Sequence, residues 1–210
     1  MSFKNHDQIL DQAYRNPNNT AITQPTIPVN KIIQAQYNMD QPAQLTKTMM
    51  WDMEVHKAGA PDKYIPTVVQ PGSAEKFPST KDGDFEYFTR VSKQRCWKDQ
   101  DTYTLVIEHV RLDHNNKVAI FIGDREFTAP DGRYFAANDD QPLFHVEHSV
   151  VGDGGENEPE NFWRIVHLTN DVDEDMKTVF ATKAKYQFLP IYTEVYIREI
   201  LQLGLTKKDV

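Results

Sequence analysis

Three segments of this 210-residue chain carry a histidine at the end of an alternating apolar run. Tyr103, Leu105, Ile107 and His109 share one face of the first segment if it is extended. Phe144, Val146 and His148 share a face of the second, and Trp163, Ile165 and His167 a face of the third. Residues two apart in a strand point the same way. If the three faces line one curved sheet, three imidazoles converge on a pocket that is otherwise apolar and aromatic, the usual form of a small-molecule site. Histidine titrates near neutrality, so His109, His148 and His167 are candidates for proton transfer or for orienting a substrate by hydrogen bond. Tyr103, Phe144 and Trp163 are the candidate ligand contacts beside them. The competing expectation is that each histidine is a satisfied core or rim residue.

His145-Val146-Glu147-His148 looks like a cluster, but strand geometry divides it. His145 and Glu147 share one face while His148 points to the other. This is not the helical His-Glu-x-x-His arrangement in which two histidines meet one zinc. A His145–Glu147 pair contributes to a ligand site only if its face lines the cavity. The three-histidine set matches no compact zinc signature, and no metal is expected. Asp171-Val172-Asp173-Glu174-Asp175 begins like a calcium loop. The sixth position is Met176 where glycine is needed, and the twelfth is Thr182 rather than glutamate. These carboxylates read instead as the start of a helix. Cys96 is the sole cysteine and reads as a small buried residue. There is no Walker loop, dinucleotide fingerprint or serine elbow, so no cofactor is expected.

The elements that must position these residues follow from periodicity and breakers. Residues 1–45 are rich in Asn, Gln and Pro and read as an extension that covers the domain or a second subunit. A homodimer through this extension is one expectation. Ile9, Leu10 and Tyr14 have the spacing of a short helix, as do Ile32, Ile33 and Tyr37. Residues 46–210 read as one ligand-binding domain. Met50–Val55 alternates like a half-buried strand, and Tyr64–Val69 has helical spacing. From Phe85 the period is two, with strands expected at Phe85–Cys96, Thr102–Leu112, Lys117–Phe127, Leu143–Val151 and Asn161–Thr169, and a short one at Arg133–Ala137. Turn residues at Asp113–Asn116, Pro130–Gly132 and Gly152–Gly155 join them, as in an antiparallel meander. Met176, Phe180, Ala184, Phe188, Ile191 and Val195 fall on one side of a helical wheel, giving a long helix kinked near Pro190 and stopped by Gly204. Lys177–Leu189 also alternates, which leaves a final strand and a shorter helix from Ile191 as the alternative.

The charge of −8, with Lys and Arg scattered, argues against a nucleic-acid phosphate backbone and against an anionic membrane surface. One cysteine and no apolar leader fit a cytoplasmic setting.

The order of strand (Met50–Val55), short helix (Tyr64–Val69), meander (Phe85–Thr169) and long C-terminal helix (Asp173–Leu203) resembles the START-like helix-grip superfamily over roughly residues 48–204. The resemblance implies an α+β fold in which a curved antiparallel sheet of about six strands grips the final helix. It also implies a cavity for a small hydrophobic or aromatic molecule. Members of the superfamily include lipid carriers and aromatase/cyclases, so it implies either a binder or a cyclase, isomerase or hydratase working through one of the histidines. A ketosteroid-isomerase-like α+β cone is the alternative fold. A non-catalytic structural or interaction protein, with its apolar faces serving only as core, is the alternative function.

Overall fold

The computed structural model describes residues 5–183 and 188–209. In chain order the elements are α1 (His6–Arg15), β1 (Thr20–Thr23), β2 (Ile27–Pro28), α2 (Val29–Gln36), β3 (Tyr37–Met39), α3 (Lys47–Gly59) and α4 (Pro61–Tyr64). Then come β4 (Glu75–Lys76), β5 (Thr80–Asp82), β6 (Phe85–Arg95), β7 (Tyr103–Asp113), β8 (Val118–Asp124), β9 (Glu126–Thr128), β10 (Tyr134–Ala136), β11 (Phe144–Val151) and β12 (Glu160–His167). The chain closes with α5 (Glu174–Lys183), α6 (Ile191–Val195) running into a π-helical turn (Tyr196–Ile200), and β13 (Leu205–Lys207).

Among the described residues, nine strands form one antiparallel sheet along the path β1-β12-β11-β8-β7-β6-β4, with β2 beside β12 and β5 beside β6. The long strands are those expected from the period of two, and short turns connect them as a meander. The architecture is therefore α+β, a large antiparallel sheet with helices against it. Gly123 in β8 permits a close approach to β11. A Cβ there would stand 2.5 Å from the carbonyl oxygen of Phe144.

The two faces of the sheet are covered differently. On one, Phe88, Val110, Phe121, Val146 and Ile165 pack against Met50 and Met53 of α3, Met176 and Phe180 of α5, and Tyr192 and Ile197 near the C-terminus. On the other, Leu10 and Ala13 of α1 cover Ile120, Ile122 and Val166. Beyond them Phe77 and Ala129 cover Val91 and Ile107, with Phe127 and Phe135 of the β9–β10 hairpin packed alongside.

Residues 1–45 are built into this body where they are described. β1 hydrogen-bonds along β12, from Thr20 opposite His167 to Thr23 opposite Arg164. β3 pairs with β13, joining the two ends of the chain.

Three expectations change. The short helix expected at Tyr64–Val69 lies one turn earlier, as α4, and Val69 instead forms a bridge with Gln94 of β6, beyond Pro66. Met50–Val55 lies inside helix α3, not a strand. The alternation of Trp51-Asp52-Met53-Glu54-Val55 imitates a strand, but Met50, Met53, Glu54 and Lys57 follow helical spacing and are all buried. The Thr46 side chain caps that helix by accepting from the Met49 amide at 3.1 Å. The C-terminal segment is helical at both ends but does not run as one helix from Asp173 to Leu203. Asp173 accepts from the Met176 amide at 3.0 Å and caps α5, which continues through Lys183. Residues 184–187, in the stretch where helix and strand competed, lie outside the described residues. At Pro190 the backbone is extended (φ −56°, ψ 144°), and α6 begins after it. Proline has no amide proton and disfavours a helical residue before it. The Tyr37 hydroxyl accepts from the Leu189 amide at 3.0 Å and donates to Glu194 at 2.6 Å, which fastens the break.

Candidate functional site

The packing between sheet and helices leaves a cavity of about 640 Å³. Its sheet wall is Phe121, Phe144, Val146, His148, Trp163 and Ile165. Phe180, Leu189, Ile191 and Tyr192 close it from the helical side, and Lys57 reaches it from α3. The strand register builds the wall. His148 stands opposite Trp163, Val146 opposite Ile165, and Phe144 opposite His167, so all six point the same way. The volume falls in the range of about 300–1,000 Å³ that small-molecule sites occupy.

A buried polar cluster interrupts this apolar lining. Lys57 Nζ lies 2.5 Å from Glu54 Oε2 and 2.9 Å from His148 Nδ1. The other Glu54 oxygen accepts from Asn161 Nδ2 at 2.9 Å, and Asn161 Oδ1 accepts from the Tyr192 hydroxyl at 2.6 Å. Asn161, on β12, thus links α3 to α6. The Lys57 ammonium also sits 4.0 Å from the centre of the Tyr192 ring. Next to this cluster, Arg90 Nε donates to Glu108 at 2.8 Å across the β6–β7 pair. Its Nη1 donates to the carbonyls of Ala58 at 2.9 Å and Lys57 at 3.3 Å, using acceptors that the end of α3 leaves open.

Burial and neighbouring charge set the protonation of these groups. Burial works against the Glu54 carboxylate, but the charges beside it, Lys57 above all, win and hold its pKa at about 2. Burial pulls Lys57 below the usual lysine range while Glu54 opposes the fall. Burial, reinforced by the Lys57 charge, pulls His148 down, so its ring is neutral near pH 7. The ring is held in place, stacked on Trp163 with 14° between the planes and edge-on to Phe121.

The structure brings Phe144, Trp163 and His148 together on the cavity. It places the other candidates elsewhere. His167 shares their face but is fully buried among Trp97, Phe144 and Phe180, and neither ring nitrogen has a hydrogen-bond partner among the described residues. Burial drives its pKa down to about 3. His109 projects from the opposite face, between Thr89 Oγ1 at 2.9 Å and Asp124 Oδ2 at 3.1 Å. Tyr103 lies on that face too, under the Arg95 guanidinium. His145 and Glu147 also point away from the cavity. His145 Nδ1 accepts from the Gly123 amide at 3.1 Å, and Glu147 accepts from Arg164 Nε at 2.9 Å. Glu54, Lys57, Arg90 and Glu108 were not foreseen. Their signal was charge at positions that patterning makes buried: Glu108 between Val106 and Val110, and Glu54 and Lys57 in helical register with Met50 and Met53.

Among the described residues, no group of three or more His, Cys, Asp and Glu side chains is placed to hold a metal ion. No helix of the described residues is long and apolar enough to cross a membrane.

A large antiparallel sheet closing on C-terminal helices around a cavity is the START-like helix-grip fold. The aromatase/cyclase ZhuI from Streptomyces sp. R1128 superimposes with a TM-score of 0.52 at 9% identity, over 86% of this chain and 95% of that one. Ara h 8.0201 aligns at a TM-score of 0.47 and 10% identity, over 84% of this chain and 97% of its own. No protein-family profile and no curated protein sequence matches the chain. The likeness is one of fold.

Proposed function

We propose that this protein binds a small hydrophobic or aromatic molecule in the cavity between sheet and C-terminal helices. The observation that carries the reading is the cavity itself, about 640 Å³ of apolar and aromatic lining with one polar cluster on its wall. A domain whose apolar faces served only as core would close such a space, because unfilled volume forfeits packing contacts. Phe144 and Trp163 are the proposed ligand contacts. Native mass spectrometry and thermal shift against a panel of lipids and aromatic polyketides test the reading. A one-to-one adduct and a raised melting temperature with at least one class are expected. No response across the panel, with a filled interior in solution, would favour a structural or interaction protein instead.

The buried Glu54–Lys57–His148 cluster favours a second reading, cofactor-independent cyclase, isomerase or hydratase chemistry in the same cavity. Buried titratable groups whose pKa values are displaced by burial and by one another's charge, beside a cavity, are a frequent mark of acid–base work. An aromatase/cyclase shares the fold. In this reading His148 exchanges the proton with the bound molecule. His148→Gln should abolish turnover of a substrate that still binds, and unchanged turnover would remove His148 from the chemistry.

A further inference from the structure

Two charged groups stand at His148 Nδ1: the Lys57 ammonium at 2.9 Å, within hydrogen-bond reach, and Glu54 Oε1 at 3.7 Å, beyond it. An ammonium group has three protons and no lone pair, so Lys57 Nζ donates and His148 Nδ1 accepts over their 2.9 Å separation. The other Lys57 contacts agree, with a carboxylate oxygen 2.5 Å away and the π face of Tyr192 beneath. A neutral imidazole that accepts at Nδ1 carries its proton on Nε2. Nε2 has no partner among the described residues, and His148 lines the cavity. Trp163 and Phe121 fix the plane of the ring and hence the direction of that N–H.

The charges nearest His148 are matched. Lys57 faces Glu54, and Arg90 Nη2 lies 2.8 Å from Glu108. Farther off, at the helical side, Glu194 is shared by Arg198 at 3.0 Å and Lys207 at 3.4 Å, with half of the lysine side chain in solvent. An ionised ligand would therefore give up its hydration at His148 with no unmatched charge to replace it.

We propose that Lys57 is a specificity-determining residue that holds His148 in its Nε2–H form, and that the cavity thereby selects an uncharged apolar molecule bearing an acceptor oxygen. This deepens the ligand-binding reading and rests on it. A ketone is favoured over the hydrocarbon, the acid and the amine of the same shape.

Two measurements on the full chain test this. The first is two-bond ¹H–¹⁵N correlation of the histidine rings, which distinguishes Nε2–H, Nδ1–H and imidazolium forms. His148 should show the Nε2–H pattern near pH 7, and either other pattern overturns the proposal. The second is calorimetric titration with naphthalene, 2-acetylnaphthalene, 2-naphthoate and 2-naphthylmethylammonium. The ketone should bind about tenfold more tightly than the other three, the equivalent of one net hydrogen bond. Equal affinities, or tighter binding of either ion, overturn the selectivity while leaving the cavity reading intact. Binding of none overturns both. The double variant Glu54→Gln/Lys57→Met removes both charges of the pair together. It should lose the preference for the ketone over naphthalene, and an unchanged preference overturns the role of Lys57. If it does not fold, the ring spectrum and the probe series of the unaltered chain still decide.

Discussion

The two faces of the sheet use the same residue types to opposite ends. On the outer face, groups that could do chemistry are spent on one another. His109 bridges Thr89 and Asp124, His145 takes the Gly123 amide, and Glu147 takes Arg164. On the cavity face the polar groups are as buried, but they surround a void and His148 keeps one nitrogen without a partner among the described residues. A histidine on an apolar strand is thus no signal by itself. The signal is a polar group whose hydrogen-bonding capacity exceeds what its neighbours supply, next to space for a molecule.

The contrast can be broken most forcefully at Lys57. Lys57→Met leaves the fully buried Glu54 carboxyl without its cation, and should cost about 3–5 kcal/mol in urea unfolding. A loss below about 1 kcal/mol, the range of solvated surface pairs, would mean that the cluster is wet rather than buried. On the outer face, His109→Leu strips a shared partner from Thr89 and Asp124. It should cost about 1–3 kcal/mol and leave the affinity for any cavity ligand unchanged. A change in ligand affinity there would erase the distinction between the faces. The smallest effect is expected at His167. His167→Phe removes a ring whose nitrogens have no partner among the described residues, and should raise stability at pH 7.5 by about 1 kcal/mol.

His167 also gives the comparison a pH dependence. Its folded pKa is about 3 against an ordinary 6.5, so below pH 6.5 the unfolded chain takes up a proton that the folded chain refuses. Stability is lost as pH falls through the window from 6.5 to 3, by up to about 1.4 kcal/mol per pH unit from this group. The stability gap between His167→Phe and the parent chain should therefore widen as pH falls from 6.5 to 4. A constant gap would place a partner or water at the ring.

Much of this was legible from patterning and some was hidden for definite reasons. β11 and β12 read correctly because their cavity-side residues contrast with polar ones such as Glu147 and Arg164. β7 is covered on both faces, so Leu105, Ile107 and His109 look no different from Val106, Glu108 and Val110, and alternation carries no information about which side faces in. Glu54 and Lys57 were hidden by an alternating stretch that imitates a strand while its buried positions follow a helix. The four-residue β1, in an Asn- and Pro-rich stretch, becomes a strand only through its pairing with β12, which no local signal reports.

The central claim is that the ligand sits between the cavity face and the C-terminal helices. Isotope-filtered NOE spectroscopy on the labelled chain with bound 2-acetylnaphthalene tests it most directly. Contacts from the probe to Phe144, Val146, Trp163 and the ring of His148 are expected. Contacts confined to the outer face, at Ile107, Ile122 or Val166, would contradict it.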